Sequence, residues 1–213
     1  MEKRRIFLDT SSHLWANLLV GKDEDNGYYE LDSAGKERFT NSWKFGLDNA
    51  LRNIAKILTN LEVSPQDLIC VLDGANGKSY RARMAQDYKD GRDKTEGMLI
   101  EYAELQKQFI RTMRSYGATV VSHHEWEADD VLVALARACK PDVSVIVTND
   151  KDLLVAVDEV HVHVYQSWEL NPEKFGGLPF EFIDIYKATV GDTSDKIPGA
   201  KGFGPKAFDK VYK

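Results

Sequence analysis

Three apolar runs in this chain each end in an aspartate, and this pattern constrains the fold more than any other feature. Asp9 follows residues 6–8, Asp73 follows residues 68–72, and Asp150 comes shortly after residues 143–147. Short apolar runs that alternate with helical patterns are typical of buried strands in a mostly parallel sheet. Ligands of such sheets bind beyond the carboxyl ends of the strands. We therefore expect the three aspartates to meet at one edge of an α/β fold.

Further acidic residues follow the same predicted elements. A cluster of nine carboxylates would repel itself strongly, which suggests divalent hard cations, because these prefer oxygen ligands. Two such ions about 3.5–4 Å apart are a common device for phosphodiester hydrolysis. Taken singly, acids in a first helical turn also complement the helix dipole, and one aspartate of TNDKD can cap a helix. The remaining six are Glu127, Asp129 and Asp130 in EADD, Asp152 in TNDKD, and Asp192 and Asp195 in GDTSDKIPG.

The charge of the chain does not exclude a nucleic-acid partner. The formal net charge is −6, but without the nine acids the rest of the chain would carry +3. Residues 78–94 combine lysines and arginines with two tyrosines. Such a segment is either a solvated basic loop or a surface that attracts phosphates and stacks on unpaired bases.

Length and composition predict a compact protein of about one to one and a half domains. No apolar run approaches the roughly 20 residues that span a bilayer, and the basic N-terminus leads directly into a short strand. With two cysteines and no secretory signal, we expect a reduced cytoplasmic protein. Neither a G-x-S-x-G motif nor a P-loop occurs.

The hydrophobic periodicity predicts alternating strands and helices, with a hairpin or loop at 22–38. Close glycines at Gly199, Gly202 and Gly204 precede a helix, so the turn either admits a phosphate or forms a tight bend. Strands are expected at 5–9, 67–73, 118–122, 143–148 and, as an outer strand, 160–165, and helices at 42–60, 98–116, 127–139, from 151, and at 180–189.

The ordered motifs LDTSS, VLDG, EADD, TNDKDLL and GDTSDKIPGAKGFGPK resemble those of the 5′-nuclease family. This family includes flap endonucleases, 5′→3′ exonucleases and the 5′-nuclease domain of bacterial DNA polymerase I. The resemblance implies a PIN-like α/β nuclease core at 1–178, with an arch or clamp at 76–116. It also implies a helix–turn–helix that grips duplex DNA at 179–213, shorter than in the family. Because no polymerase domain follows, a stand-alone nuclease of a phage or bacterium is expected, acting in replication or repair.

The resemblance also implies roles for individual residues. Two Mg²⁺ or Mn²⁺ ions are expected, with Asp130 and Asp195 as supporting acids. Lys89 and Arg92 are expected to be catalytic, with Lys89 at the scissile phosphate. A monovalent cation such as K⁺ is implied at the glycine turn. The first ion corresponds to Asp9, Asp73, Glu127 and Asp129, the second to Asp150, Asp152 and Asp192, and the DNA contacts to Tyr80, Arg81, Arg83, Tyr88, Gly199, Lys201, Gly202, Gly204 and Lys206.

Three positions depart from the family pattern. Thr10 replaces a glycine, Ala16 replaces an arginine, and Lys196 replaces an asparagine. The expected activity is metal-dependent hydrolysis of DNA at or near 5′ ends, with replication proteins such as a polymerase or a single-strand-binding protein as partners, and no membrane. The alternatives are a DNA-binding module of the same fold with weak or no cleavage, and a nuclease directed at RNA or RNA–DNA hybrids.

Overall fold

The computed structural model describes residues 4–19, 29–31, 37–39, 42–77, 83, 96–140, 142–158, 160–175, 177–193 and 197–212. Helices and strands alternate along most of this part of the chain. The strands are β1 (Arg4–Asp9), β2 (Tyr29–Leu31), β3 (Glu37–Phe39), β4 (Leu68–Leu72), β5 (Thr119–Ser122), β6 (Val143–Val147), β7 (Val162–Gln166) and β8 (Glu169–Leu170). The α-helices are α1 (Thr10–Leu19), α2 (Ser42–Asn60), α3 (Glu96–Ser115), α4 (Ala128–Ala138), α5 (Ile183–Val190) and α6 (Pro205–Tyr212).

Six strands form one sheet in the order β5-β4-β1-β6-β7-β8. The first five are mutually parallel, and β8 runs antiparallel to β7. Leu8 of the central β1 pairs with Cys70 on one side and Val147 on the other. This register aligns the carboxyl ends of β1, β4 and β6, so the segments that carry Asp9, Asp73 and Asp150 leave the sheet at one edge, as predicted.

The sheet is buried on both faces. Helices α1, α2 and α3 cover one face, where Leu14, Ile54 and Phe109 join a single apolar cluster with the strands. Helix α4 and the 3₁₀ segment Lys151–Ala156 cover the other face, where Leu132 and Leu154 are fully buried. Burial of both faces explains why the central strands β1, β4 and β6 carry nearly continuous apolar runs rather than alternating ones.

Several element predictions are refined by the structure. The predicted loop or hairpin at 22–38 contains the antiparallel pair β2–β3. Helix α1 was not predicted. The strand predicted as an outer one, β7, is the last long strand of the sheet, and the two-residue β8 pairs only with Tyr165 and Gln166 on its far side. Val162 and Val164 are nevertheless fully buried.

Helix boundaries also shift locally. Glu127 is the N-cap residue of α4 rather than its first helical residue. The predicted helix at 180–189 opens with a 3₁₀ turn, Phe180–Phe182, before α5. Both cysteines are free thiols. Within the described ranges, no helix is both long and apolar enough to cross a bilayer.

Candidate active site

Asp9 is fixed at the end of β1 by donors from two other elements. The Ser12 backbone N–H donates to its Oδ1 at 3.0 Å, and the Thr148 hydroxyl donates to its Oδ2 at 2.7 Å. The residue is only 4% exposed. Burial raises the pKa of Asp9 to about 6, and repulsion from Asp73 and Asp150 adds to this, against the lowering effect of the two hydrogen bonds. A buried carboxylate that faces other acids is a position where a cation would be strongly favoured.

Asp73 joins the end of β4 to two helix N-termini. Its Oδ2 accepts a hydrogen bond from the Ser11 hydroxyl at 2.8 Å, and its Oδ1 accepts one from the Ala128 N–H at 2.9 Å. The neighbouring Gly74 donates its N–H to the Trp126 carbonyl at 3.0 Å. A Cβ at Gly74 would lie 1.9 Å from the His123 carbonyl oxygen, so this close approach requires glycine. The VLDG motif therefore docks the end of β4 against the start of α4.

The EADD motif lies at the N-terminus of α4, as predicted, but its first acid stands outside the helix. Glu127 is buried as the N-cap residue, while Asp129 and Asp130 occupy the first turn and are partly buried. The N-terminal end of a helix favours negative charge, which helps to keep such acids ionised. Because Asp73 caps the Ala128 N–H, these acids belong to the same edge of the sheet as Asp73.

The second group of acids is organised around a lysine that the sequence did not reveal as important. Lys187 of α5 donates a hydrogen bond to Asp152 Oδ2 and lies 3.0 Å from Asp192 Oδ2. Lys187 is only 9% exposed. Lys151 approaches Asp192 more loosely, at 3.6 Å, and Asp150 accepts a hydrogen bond from the Asp152 N–H at 2.9 Å. The available signal was the single basic residue in the sequence of α5.

The surroundings of the predicted acidic ligands show whether their positions suit divalent ions. Among the described residues, no three or more His, Cys, Asp or Glu side chains are grouped so that they could hold one ion. Backbone and hydroxyl donors hold Asp9 and Asp73, and the Lys187 ammonium lies between Asp152 and Asp192. The buried ammonium of Lys187 is thus already paired with two of the predicted metal ligands, Asp152 and Asp192. Hard oxygen donors and a stand-in positive charge fit Mg²⁺ or Mn²⁺.

Tyr102 connects helix α3 to this edge of the sheet and was not predicted as a site residue. Its ring stacks on Trp15 with centroids 4.2 Å apart and planes 5° apart. Burial raises the pKa of Tyr102 to about 12, the nearby Asp73 and Asp9 raise it further, and a hydrogen bond to Ser11 opposes them. The helix within the predicted arch region is therefore packed directly against α1 and its serine.

The predicted DNA-contacting residues are only partly within the described chain. Arg83 is described and exposed. Gly199 has φ +68°, and a Cβ there would lie 2.6 Å from the Val190 backbone, so Gly199 serves a tight bend. Gly202 and Gly204 have no neighbour within 4 Å of a Cβ position, which leaves them open to an approaching group. Lys201 and Lys206 are exposed beside them, whereas Tyr80, Arg81, Tyr88, Lys89, Arg92 and Asp195 lie outside the described residues.

Comparison with solved structures first defines the class of fold. The chain superposes on T5 5′-exonuclease with bound divalent metal ions (zinc), with a TM-score of 0.69 at 15% identity, covering 98% of this chain and 74% of that one. At this level of identity the likeness establishes the fold, which is that of a mostly parallel six-stranded sheet flanked by helices.

Sequence comparison then gives the family. A model for the 5′-3′ exonuclease N-terminal resolvase-like domain matches residues 27–177. The chain is 34% identical over 202 residues to DNA polymerase I of Streptococcus pneumoniae, covering 86% of this chain and 21% of that protein. It is 32% identical over 180 residues to a 5′-3′ exonuclease of Bacillus subtilis, covering 79% of this chain and 58% of that protein. The chain belongs to the 5′-3′ exonuclease family, and it spans about a fifth of the length of the polymerase relatives.

Proposed function

We propose that the chain is a divalent-metal-dependent 5′ nuclease that hydrolyses DNA phosphodiesters at or near 5′ ends. The observation that carries this proposal is the buried carboxylate of Asp9, whose pKa is raised to about 6 by burial and by the adjacent Asp73 and Asp150. Such repulsion is costly in a protein without a function for it, and strongly perturbed acids are concentrated at catalytic sites. Membership of the 5′-3′ exonuclease family supports the same conclusion.

Two groups of acids would hold the ions. When bound, divalent cations there would supply an attacking water of lowered pKa and positive charge at the leaving oxygen. Glu127 and Asp129 stand at the N-terminus of α4, which is tied to Asp73 through the Ala128 N–H. The first group is proposed to be Asp9, Asp73, Glu127 and Asp129, and the second Asp150, Asp152 and Asp192, with Asp130 and Asp195 in support.

The other residues of the site position these acids and the substrate. Ser11 and Thr148 each donate a hydroxyl hydrogen bond to one acid, to Asp73 and Asp9 respectively, which fixes the carboxylate orientation. Lys89 is proposed to place positive charge at the scissile phosphate, with Arg92 on the same segment. Gly202 and Gly204 leave open space where a duplex phosphate could approach the backbone, with K⁺ as a candidate neutralising ion.

One observation favours the second candidate, a DNA-binding module with little cleavage. Lys187 already pairs with Asp152 and Asp192, so a divalent ion must compete with a buried ammonium for the second group.

The relatives that are DNA polymerases suggest a polymerase as a partner of this chain in replication or repair. The proposed location is the cytoplasm of a bacterium or of a phage-infected cell.

The test is a cleavage assay on matched substrates. A labelled 5′-flap DNA, the same flap made of RNA, and an RNA–DNA hybrid are incubated with the protein in Mg²⁺, in Mn²⁺ and in EDTA. We expect cleavage of the DNA flap near the junction with either cation and none in EDTA. DNA binding without cleavage in either cation would establish the binding-module alternative. Faster cleavage of the RNA flap or the hybrid than of the DNA flap would establish a nuclease directed at RNA or RNA–DNA hybrids.

A further inference from the structure

Tyr102 of helix α3 lies across the face of α1 that leads to the candidate active site. Trp15 and Ser11 are four residues apart in α1 and therefore share one helix face. Tyr102 meets both of them, with its ring stacked on Trp15 at 4.2 Å and its hydroxyl within hydrogen-bonding reach of Ser11. Helix α3 supplies none of the predicted metal ligands. It nevertheless contacts the serine that holds Asp73.

The donors and acceptors around the Tyr102 hydroxyl follow one direction. Gln106 Nε2 donates to the Tyr102 hydroxyl oxygen at 3.4 Å, and Ser11 donates its only proton to Asp73 Oδ2 at 2.8 Å. Ser11 therefore presents the lone pairs of its oxygen to Tyr102, and the phenol proton is the group that can fill them. A chain results that leads from an amide through two hydroxyls to a carboxylate. Hydrogen bonds in such a chain strengthen one another.

The phenol keeps the proton that this chain needs. Burial raises the pKa of Tyr102 to about 12, and the nearby Asp73 and Asp9 act in the same direction, so the phenol is a neutral donor near pH 7. Ser11 is only partly buried, so water competes with Asp73 for its hydroxyl proton. A donor fixed on the other side of Ser11 favours the rotamer in which its hydroxyl points to Asp73.

We propose that Tyr102 is a positioning residue for the first group of acids, and that its O–H holds the Ser11 hydroxyl on Asp73. This inference rests on the proposed function, in which Asp73 is a ligand of the first ion. Asp73 Oδ1 already accepts from the Ala128 N–H at 2.9 Å, so holding Ser11 fixes both oxygens of the carboxylate. Each oxygen keeps a further lone pair for an ion. Loss of a partner that orients a metal ligand typically lowers metal affinity or activity about 10- to 100-fold.

The alternative is that Tyr102 only packs α3 against α1. These two roles need different parts of the side chain. Stacking on Trp15 needs the ring alone, so phenylalanine would serve it equally well. The proposed role needs the hydroxyl, and it needs Ser11 as the intermediate. Removing the hydroxyl while keeping the ring therefore separates the two.

The test is a double-mutant cycle with Mn²⁺ as the probe. Tyr102→Phe keeps the ring and removes the O–H, Ser11→Ala removes the intermediate hydroxyl, and a third variant combines the two. Tyr116→Phe is the matched control, because Tyr116 lies just beyond the end of α3 and is 58% exposed. The measurements are Mn²⁺ affinity by calorimetry, DNA affinity and Tm in EDTA, and the Mg²⁺ dependence of single-turnover cleavage of a 5′-flap DNA.

We expect Tyr102→Phe to weaken one Mn²⁺ affinity about tenfold, and cleavage to need about tenfold more Mg²⁺ for its half-maximal rate. DNA affinity and Tm in EDTA should stay close to wild type, because the stacked ring is retained. Ser11→Ala should weaken Mn²⁺ binding at least as much. The double variant should equal Ser11→Ala alone, since Tyr102 acts only through Ser11. Tyr116→Phe should match wild type in every measurement.

Three results would overturn the inference. If Tyr102→Phe binds Mn²⁺ like wild type, or if its main effect is a lower Tm in EDTA, the tyrosine only packs the helices, and the proposed function stands. If the losses of the two single variants add in the double variant, Tyr102 does not act through Ser11. If the wild type neither binds Mn²⁺ nor cleaves DNA, the proposed function fails and this inference fails with it.

Discussion

Replacement of Lys187 tests the electrostatic organisation of the second group of acids most sharply. In the metal-free protein, Lys187→Met would leave Asp152 and Asp192 without the buried ammonium that lies between them. Breaking a buried pair from one side costs about 3–5 kcal/mol. Asp152 retains 30% side-chain exposure, so water offsets part of this loss. We therefore expect a loss near the lower limit, about 3 kcal/mol, or roughly 6–12 °C in Tm for a chain of this size.

Divalent ions should reverse this loss. Without Lys187 a bound cation no longer competes with an ammonium, so we expect Mn²⁺ to bind the variant about tenfold more tightly or better. Ligand binding stabilises a protein by about 2.7 kcal/mol at a hundred times its Kd, which would restore most of the lost Tm. The assays are thermal unfolding in EDTA and in a Mn²⁺ series, with calorimetric titration of Mn²⁺.

Lys151→Met is the matched control. Lys151 is 46% exposed and lies 3.6 Å from the same Asp192, and pairs of this exposed kind contribute at most about 1 kcal/mol. We expect its Tm and its Mn²⁺ affinity to stay close to wild type. The reasoning is refuted if Lys187→Met melts like wild type in EDTA, or if its gain in Tm with Mn²⁺ is no larger than that of wild type.

Three further predictions concern other parts of the site. Because folding raises the pKa of Asp9 from 3.8 to about 6, its stabilising contribution is present below about pH 4 and is lost as pH rises through 6. Metal-free Asp9→Asn should therefore match the wild-type Tm near pH 4 and exceed the wild type in free energy of unfolding by about 3 kcal/mol near pH 7, or roughly 6–12 °C in Tm; equal Tm values for the two proteins at both pH values would contradict this. Lys89→Ala should lower the single-turnover rate about 100-fold but weaken binding far less, with a salt slope smaller by about 1, and equal losses in rate and affinity would make Lys89 only a steering charge. Gly204→Ala adds a Cβ in open space without positive φ, so the Tm should fall by only a few degrees while affinity for a long downstream duplex falls about tenfold; wild-type affinity would assign the turn a purely structural role.

The convergence of strand ends could be predicted from the sequence because it depends on regular backbone geometry. Runs of buried apolar residues identify central strands, and parallel pairing then places the residues after Leu8, Leu72 and Val147 at one edge. The position of EADD at a helix start followed from acids placed before an apolar helical pattern. These inferences need only local periodicity and the general rules of parallel sheets.

What the sequence could not provide depends on tertiary contacts. The pairing of Lys187 with Asp152 joins residues 35 positions apart, and the Thr148 hydrogen bond to Asp9 spans 139 positions. Helix α1 was missed because its buried face includes polar residues, His13 and Asn17, which obscure the apolar period. Burial of His13 lowers its pKa, so a neutral ring at this polar position fits the interior. The turn between β7 and β8, where Ser167 and Trp168 have positive φ, has no glycine to signal it.

The central claim is that Asp150 and its neighbouring acids hold the ions that cleave DNA. The most direct measurement compares wild type, Asp150→Asn and the control Asp48→Asn in single-turnover cleavage of a labelled 5′-flap DNA at saturating Mg²⁺, with binding measured in EDTA. Asp48 is a suitable control because it lies on α2 in an exposed pair with Arg52. We predict that Asp150→Asn lowers the cleavage rate about 100-fold or more with DNA affinity within about threefold of wild type, while Asp48→Asn changes neither. Retention of half or more of the wild-type rate by Asp150→Asn would contradict the account.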